Sequence, residues 1–105
     1  MRLLKFNVNA QQIEKDPECD FENLVAGSKN YLKAYFNLPE DWQNCSIAAS
    51  FWRGKNEYAV LLKDSMCDIP PEVTIWPTFQ VSVTCLKDNV CIPTNKTLVR
   101  QEVRR

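Results

Sequence analysis

The side chains with reactive potential in this chain are five cysteines, Cys19, Cys45, Cys67, Cys85 and Cys91, and thirteen carboxylates, with no histidine. Without an imidazole, the Ser-His-Asp and Cys-His arrangements are excluded, together with imidazole metal ligation and the commonest general base. A cysteine nucleophile would need another base or a strongly lowered pKa, and none of the five has a neighbouring pattern that supplies either. No two cysteines are spaced as Cys-x-x-Cys, so a zinc site would have to be assembled from scattered thiols. The odd count leaves at least one thiol unpaired within the chain. In a reducing compartment all five are thiols and behave as small buried hydrophobes, with Cys45 and Cys85 expected on inward strand faces.

The carboxylates are dispersed. Glu14 with Asp16, Glu18 with Asp20, and Glu40 with Asp41 fall in turns or at strand ends, where acids are ordinarily solvated rather than paired for glycoside cleavage. Asp16, Glu18 and Asp20 alternate as the first ligands of a calcium loop do, yet Pro17 and Cys19 intervene and the rest of that loop is missing. Two glycines, Gly27 and Gly54, do not make a phosphate-cradling loop. The chemistry therefore points away from an enzyme and implies no cofactor and no metal. The side chains left to do something are aromatic: Tyr31, Tyr35, Trp52 and Trp76 are expected to face outward and to bind a partner, because Tyr and Trp anchor protein interfaces. The competing expectation is that some of them cap the ends of the fold or cover a second face.

The elements that must position these residues centre on the stretch from Asn30 to Trp52. Leu32, Ala34, Phe36 and Leu38 alternate with Tyr31, Lys33, Tyr35 and Asn37. After a bend at Pro39-Glu40-Asp41-Trp42, Cys45, Ile47, Ala49 and Phe51 alternate with Ser46, Ala48, Ser50 and Trp52. Two strands are predicted, the second running back beside the first. Lys29 to Leu38 lacks β-branched residues and also satisfies helical spacing, so a helix is the rival reading there.

Elsewhere, Leu4, Phe6 and Val8 mark a first strand, and Asn9-Ala10 a hairpin turn leading into a second strand as far as Lys15. Asp20 to Gly27 is a loop with an apolar patch at Leu24-Val25. Arg53-Gly54-Lys55-Asn56 is a tight turn making Cys45 to Lys63 a hairpin. A short extended piece, Cys67 to Ile69, precedes Pro71 to Pro77, which reads as an irregular crossing or a single helical turn. Phe79, Val81, Val83 and Cys85 form the clearest strand. Val90 to Ile92 is brief, and Thr94 to Val103 is the last strand. About eight short strands with turn signals between them, and no long amphipathic helix, predict an all-β antiparallel sandwich or small barrel occupying residues 1–105 as one domain.

With 45% apolar and 25% charged residues, the composition is that of a globular protein. Thirteen acidic and thirteen basic residues balance to zero, which offers no field for nucleic acid, although Arg100, Arg104 and Arg105 make the C-terminus locally basic. The first residues turn polar at Asn7, unlike a signal peptide, and no window has the length of a membrane span; the expectation is a protein made in the cytoplasm, with neither nucleic-acid nor membrane partners.

Several short motifs resemble one protein group: Met1-Arg2-Leu3-Leu4-Lys5-Phe6-Asn7-Val8-Asn9, Gly27 to Ala34 with Phe36 and Trp42, Ile69-Pro70 before Val73, Phe79 to Val83, and Pro93-Thr94-Asn95. They are similar to small virion-associated proteins of tailed phages of Gram-positive bacteria, of the tail, baseplate or head-fibre accessory type. The resemblance implies an immunoglobulin-like β-sandwich of about 7–8 short strands that docks without catalysis. It implies a virion location, a protein partner among other virion proteins or a second copy, and a glycan as a further ligand for exposed tryptophans. Ala10 departs from the group's turn glycine, and five cysteines are unusual for it. The alternative from a different class is a small phage-encoded inhibitor that binds a host defence protein in the cytoplasm.

Overall fold

The structure, a computed structural model, describes residues 1–42 and 44–103; Gln43 and the terminal Arg104 and Arg105 lie outside the described residues. Of the basic C-terminus, only Arg100 can therefore be placed.

Among the described residues, nine strands and one short α-helix follow one another in the order β1 (Arg2–Asn9), β2 (Gln12–Lys15), β3 (Leu32–Asn37), β4 (Ser46–Arg53), β5 (Asn56–Leu61), β6 (Met66–Asp68), α1 (Pro71–Thr74), β7 (Thr78–Lys87), β8 (Val90–Pro93) and β9 (Thr97–Arg100). They form two sheets. The first has the order β2-β1-β3-β6, and the second runs β5-β4-β7, with β8 and β9 sharing the far edge of the ten-residue β7. This is an all-β sandwich. Its pairs are antiparallel with one exception: β1 and β3 run parallel, in a register that sets Phe6 beside Phe36. Those rings stack at 5.4 Å, and Phe21 meets Phe6 edge-on at the same distance.

Alternation places the core. Leu4, Phe6, Val8, Leu32, Ala34 and Phe36 are buried from the first sheet, and Ala49, Phe51, Phe79, Val81, Val83, Cys85 and Val99 from the second, in one continuous cluster. Truncating one of the central phenylalanines removes its transfer energy and leaves a cavity, at a cost of about 3–5 kcal/mol. Within Lys29 to Leu38 the chain is a strand over Leu32–Asn37 and not a helix: its alternate residues Leu32, Ala34 and Phe36 are buried while Lys33 and Tyr35 are half-exposed, a period of two.

One expectation fails. The limbs on either side of Trp42 do not run beside each other: β3 pairs with β1 and β6, whereas β4 pairs with β5 and β7. The bend at Pro39 instead carries the chain from one sheet to the other through a 3-10 turn, Glu40–Trp42, whose Trp42 is buried in the cluster. Alternation tells which face of a strand is apolar and is silent on which strand lies beside it.

Turns behave largely as their residues require. Arg53 faces Asn56 across Gly54-Lys55, and Gly54 takes φ +59 without a side chain to strain it. The first hairpin turns one residue later than Asn9-Ala10, since Asn9 still pairs with Gln12 and the loop is Ala10-Gln11. Ala10 holds φ 53 there, a left-handed geometry that costs an L-residue with a Cβ about 1–2 kcal/mol. Pro71 opens the single turn of α1, which Thr74 fixes to the loop before β3 by donating to the Ser28 carbonyl at 2.6 Å.

Candidate functional site

The four aromatic residues expected at a docking surface are not brought together. Tyr35 lies on the outer face of the first sheet, opposite to buried Ala34 and Phe36, between Lys5 and Met66 in register. Tyr31 is 47% exposed and sits one residue before β3, where its carbonyl accepts from the Arg2 amide. Trp52 belongs to the outer face of the second sheet. Its indole N–H donates to Ser82 Oγ at 2.9 Å, and Lys96 Nζ sits 3.7 Å from its ring centroid. Trp76 follows α1 at the end of the sandwich, with the Arg53 guanidinium carbon 3.2 Å from its ring centroid. Trp52 and Trp76 thus each have one ring face occupied by a cation, an arrangement worth about 0.5–1 kcal/mol at exposed positions. Trp52 also helps to roof Ser82, which is buried on this outer face together with Ser50, whose hydroxyl donates to Glu57.

What the sequence did not reveal is a difference between the two sides of the sandwich. On one side the edge strand β2 is sewn to the segment that links β8 to β9. The Ile13 amide donates to Asn95 Oδ1 at 2.7 Å, the Asn95 amide to the Gln11 carbonyl at 3.1 Å, and Gln11 Nε2 to the Pro93 carbonyl at 3.0 Å. Ile13 is buried beneath this strap. Thr94 anchors the strap to β7 in turn, its hydroxyl accepting from the Val83 amide and its amide donating to the Val83 carbonyl.

On the opposite side the described residues form no such strap. There β5 and β6 are the edges of the two sheets, and between them runs a groove of about 420 Å³ lined by Val60, Leu61, Lys63, Asp64, Met66, Cys67, Asp68 and Lys33. The Leu62 amide donates to the Ile47 carbonyl at 2.9 Å, which fixes the phase of the β4–β5 ladder. Antiparallel alternation then turns the main-chain groups of Glu57, Ala59 and Leu61 away from β4. On β6, the Phe36 amide bonds the Ser65 carbonyl and the Ile69 amide the Leu32 carbonyl, so Met66 and Asp68 face outward; Met66 is occupied by Lys63. Leu61 is 72% exposed, an apolar residue on the polar side of its strand. Lys33 and Asp68 bridge the groove floor at 3.3 Å. An aliphatic residue among Glu57 and Ala59 on that side was the one signal of this edge in the sequence.

Thiol chemistry is suppressed where the thiols are buried. Burial, with the charge of Asp68 adding to it, pushes the Cys67 thiol from its ordinary 9.0 up to about 12. Cys85 rises to about 11, first by burial and then by its hydrogen bond to the Cys45 thiol. All five cysteines are free of disulfides, and Cys91, opposite Leu86 in the β7–β8 register, faces away from Cys85. Among the described residues no group of three or more His, Cys, Asp or Glu side chains is placed to hold a metal ion. Among the described residues no helix is long and apolar enough to cross a membrane.

Comparison with family models, with curated proteins and with solved structures gives no match that shows common descent.

Proposed function

We propose that this chain is a non-enzymatic docking module that joins a larger protein assembly by taking a partner's extended strand along the open β5/β6 side. Main-chain groups of Glu57, Ala59 and Leu61 supply the ladder, and the groove lined by Val60, Leu61 and Met66 receives alternate side chains of the incoming strand. The observation that carries the reading is the contrast between one strapped side and one open side on the same sandwich. Unpaired edges are ordinarily blunted, and one that keeps free main-chain groups beside apolar residues such as Val60, Leu61 and Met66 is a template for another strand. The cations on Trp52 and Trp76 each take one ring face, which leaves less aromatic surface for stacking a sugar and favours a protein partner.

Within this reading the module is an accessory structural or adhesion part of a phage particle, made in the host cytoplasm and carried in the virion, as the resemblance in its motifs implies. The test is to purify particles from an infected culture and probe them, and the particle-free lysate, for the chain. Its presence in particles at a repeated copy number supports the reading. Its absence from particles, together with capture of a host protein in the lysate, favours the cytoplasmic inhibitor instead.

A further inference from the structure

A second feature, independent of the docking reading, lies at the end of the sandwich remote from α1. The β4–β7 register sets Ile47 opposite Cys85. Cys45, two residues earlier in the bend that enters β4, is therefore the diagonal neighbour of Cys85 on the same side of the pair. The two thiols are in hydrogen-bond contact. Both line a small, mainly apolar cavity of about 150 Å³ with Val90, Ile92, Asp41, Lys87 and Asp88. Cys85 is buried and Cys45 half-buried at the margin of the core, so a small reagent entering the cavity meets Cys45 first. The other cysteines are placed elsewhere: Cys67 on β6 of the first sheet, Cys19 beside β1 with its sulfur accepting from the Lys5 amide, and Cys91 on the opposite face of the β7–β8 pair.

We propose that Cys45 and Cys85 are an oxidisable dithiol, which closes to an intramolecular disulfide and fastens the segment entering β4 to β7. With a small-molecule disulfide as oxidant, the Cys45 thiolate attacks one of its sulfurs and displaces a small thiol, leaving a mixed disulfide. Cys85 then gives up its proton and attacks Cys45 Sγ, and the second small thiol leaves. Two S–H bonds are replaced by one S–S bond in the protein, and the two electrons and two protons reside in the two released thiols. The second step is the slow one at neutral pH, because Cys85 holds its proton: burial, the Cys45 contact and the charge of Asp41 favour the thiol, and only the Lys87 ammonium opposes them. The link closes a loop spanning residues 45–85, long enough to restrict the unfolded chain, so the thermal midpoint is expected to rise by about 10 °C.

The experiment incubates the folded protein with oxidised glutathione, blocks remaining thiols, and maps linkages by mass spectrometry of a non-reduced digest. A Cys91→Ser background prevents linkage through the exposed thiol. The expected result is a monomer two mass units lighter, a Cys45–Cys85 linked peptide, faster closure as the pH is raised from 7 to 9, and a higher melting midpoint that reductant reverses. Cys45→Ser, which leaves the buried position intact, should show neither the linkage nor the rise. The proposal is overturned if both cysteines are recovered as thiols, if the link joins any other pair, or if the link forms without raising the midpoint.

Discussion

The strapped side and the open side of this sandwich solve the same problem in opposite ways. Both bring the edge of one sheet near the edge of the other, leaving polar main chain to be satisfied. On the β2 side, the three-residue connection Thr94-Asn95-Lys96 after Pro93 uses a carboxamide, a hydroxyl and main-chain groups to close the gap over buried Ile13. On the β5 side, the outward groups of Glu57, Ala59 and Leu61 are left to solvent beside a groove whose walls set Val60, Leu61 and Met66 among the charged Lys33, Lys63, Asp64 and Asp68. A molecule that seals one seam fully and leaves the other open spends stability on the first and keeps the second available for a partner. The difference is therefore energetic as well as geometric, and it can be attacked from both sides.

The largest expected effect is in the core beneath the strap. Ile13→Ala should lower unfolding free energy by about 2–5 kcal/mol, whereas Leu61→Ala on the open side should stay within about 0.5 kcal/mol, both read from denaturant midpoints. Equal costs would erase the distinction between the seams. Next, Asn95→Ala removes the acceptor of the Ile13 amide while leaving that donor half-buried, at about 1–3 kcal/mol, and it should speed hydrogen exchange at Ile13 without affecting exchange in β5. An unchanged exchange rate at Ile13 would mean the strap holds nothing.

A third prediction uses pH. Cys67 beside the open groove and Cys85 in the core both hold their protons more tightly when folded than their ordinary 9.0 allows. Because the folded pKa values are the raised ones, their stabilisation is complete below about pH 9 and is lost as the pH climbs through 11 and toward 12. Unfolding monitored between pH 8 and 11 should show stability falling with pH, and Cys67→Ala should make the fall shallower. A slope that Cys67→Ala leaves unchanged would show that this thiol does not contribute. The smallest effect on folding is expected from Leu61→Lys, which places a charge on an already exposed position and should leave the melting midpoint within a few degrees while abolishing partner binding.

How far the sequence anticipates this molecule follows from what periodicity encodes. Leu4-Phe6-Val8 and Phe79-Val81-Val83-Cys85 read correctly because an unbroken period of two fixes both the element and its buried face. Gly54 marked its turn, and the Pro70-Pro71 pair the end of the extended piece before it, for the same local reason. The pairing of β3 with β1 was not readable, because it is set by Phe6 packing on Phe36, residues distant in the chain. The tryptophans illustrate the same limit. Exposure of Trp52 and Trp76 was inferred from their strand phase and position, but the cations on their rings come from Lys96 and Arg53, which only the folded arrangement brings near. The open groove combines two sheet edges, and alternation within single strands contains no record of it beyond the misplaced Leu61.

The most direct test of the account replaces one outward main-chain donor. Ala59→Pro removes the Ala59 amide hydrogen, which bonds no neighbouring strand, and fits the extended geometry that an edge strand permits to proline. The quantity to measure is the amount of the chain recovered in purified particles, for wild type and for Ala59→Pro of matched melting midpoint. Strand addition at β5 predicts that recovery falls about tenfold or more, the loss of one to two main-chain hydrogen bonds at roughly 1 kcal/mol each. Recovery of Ala59→Pro equal to wild type would contradict it.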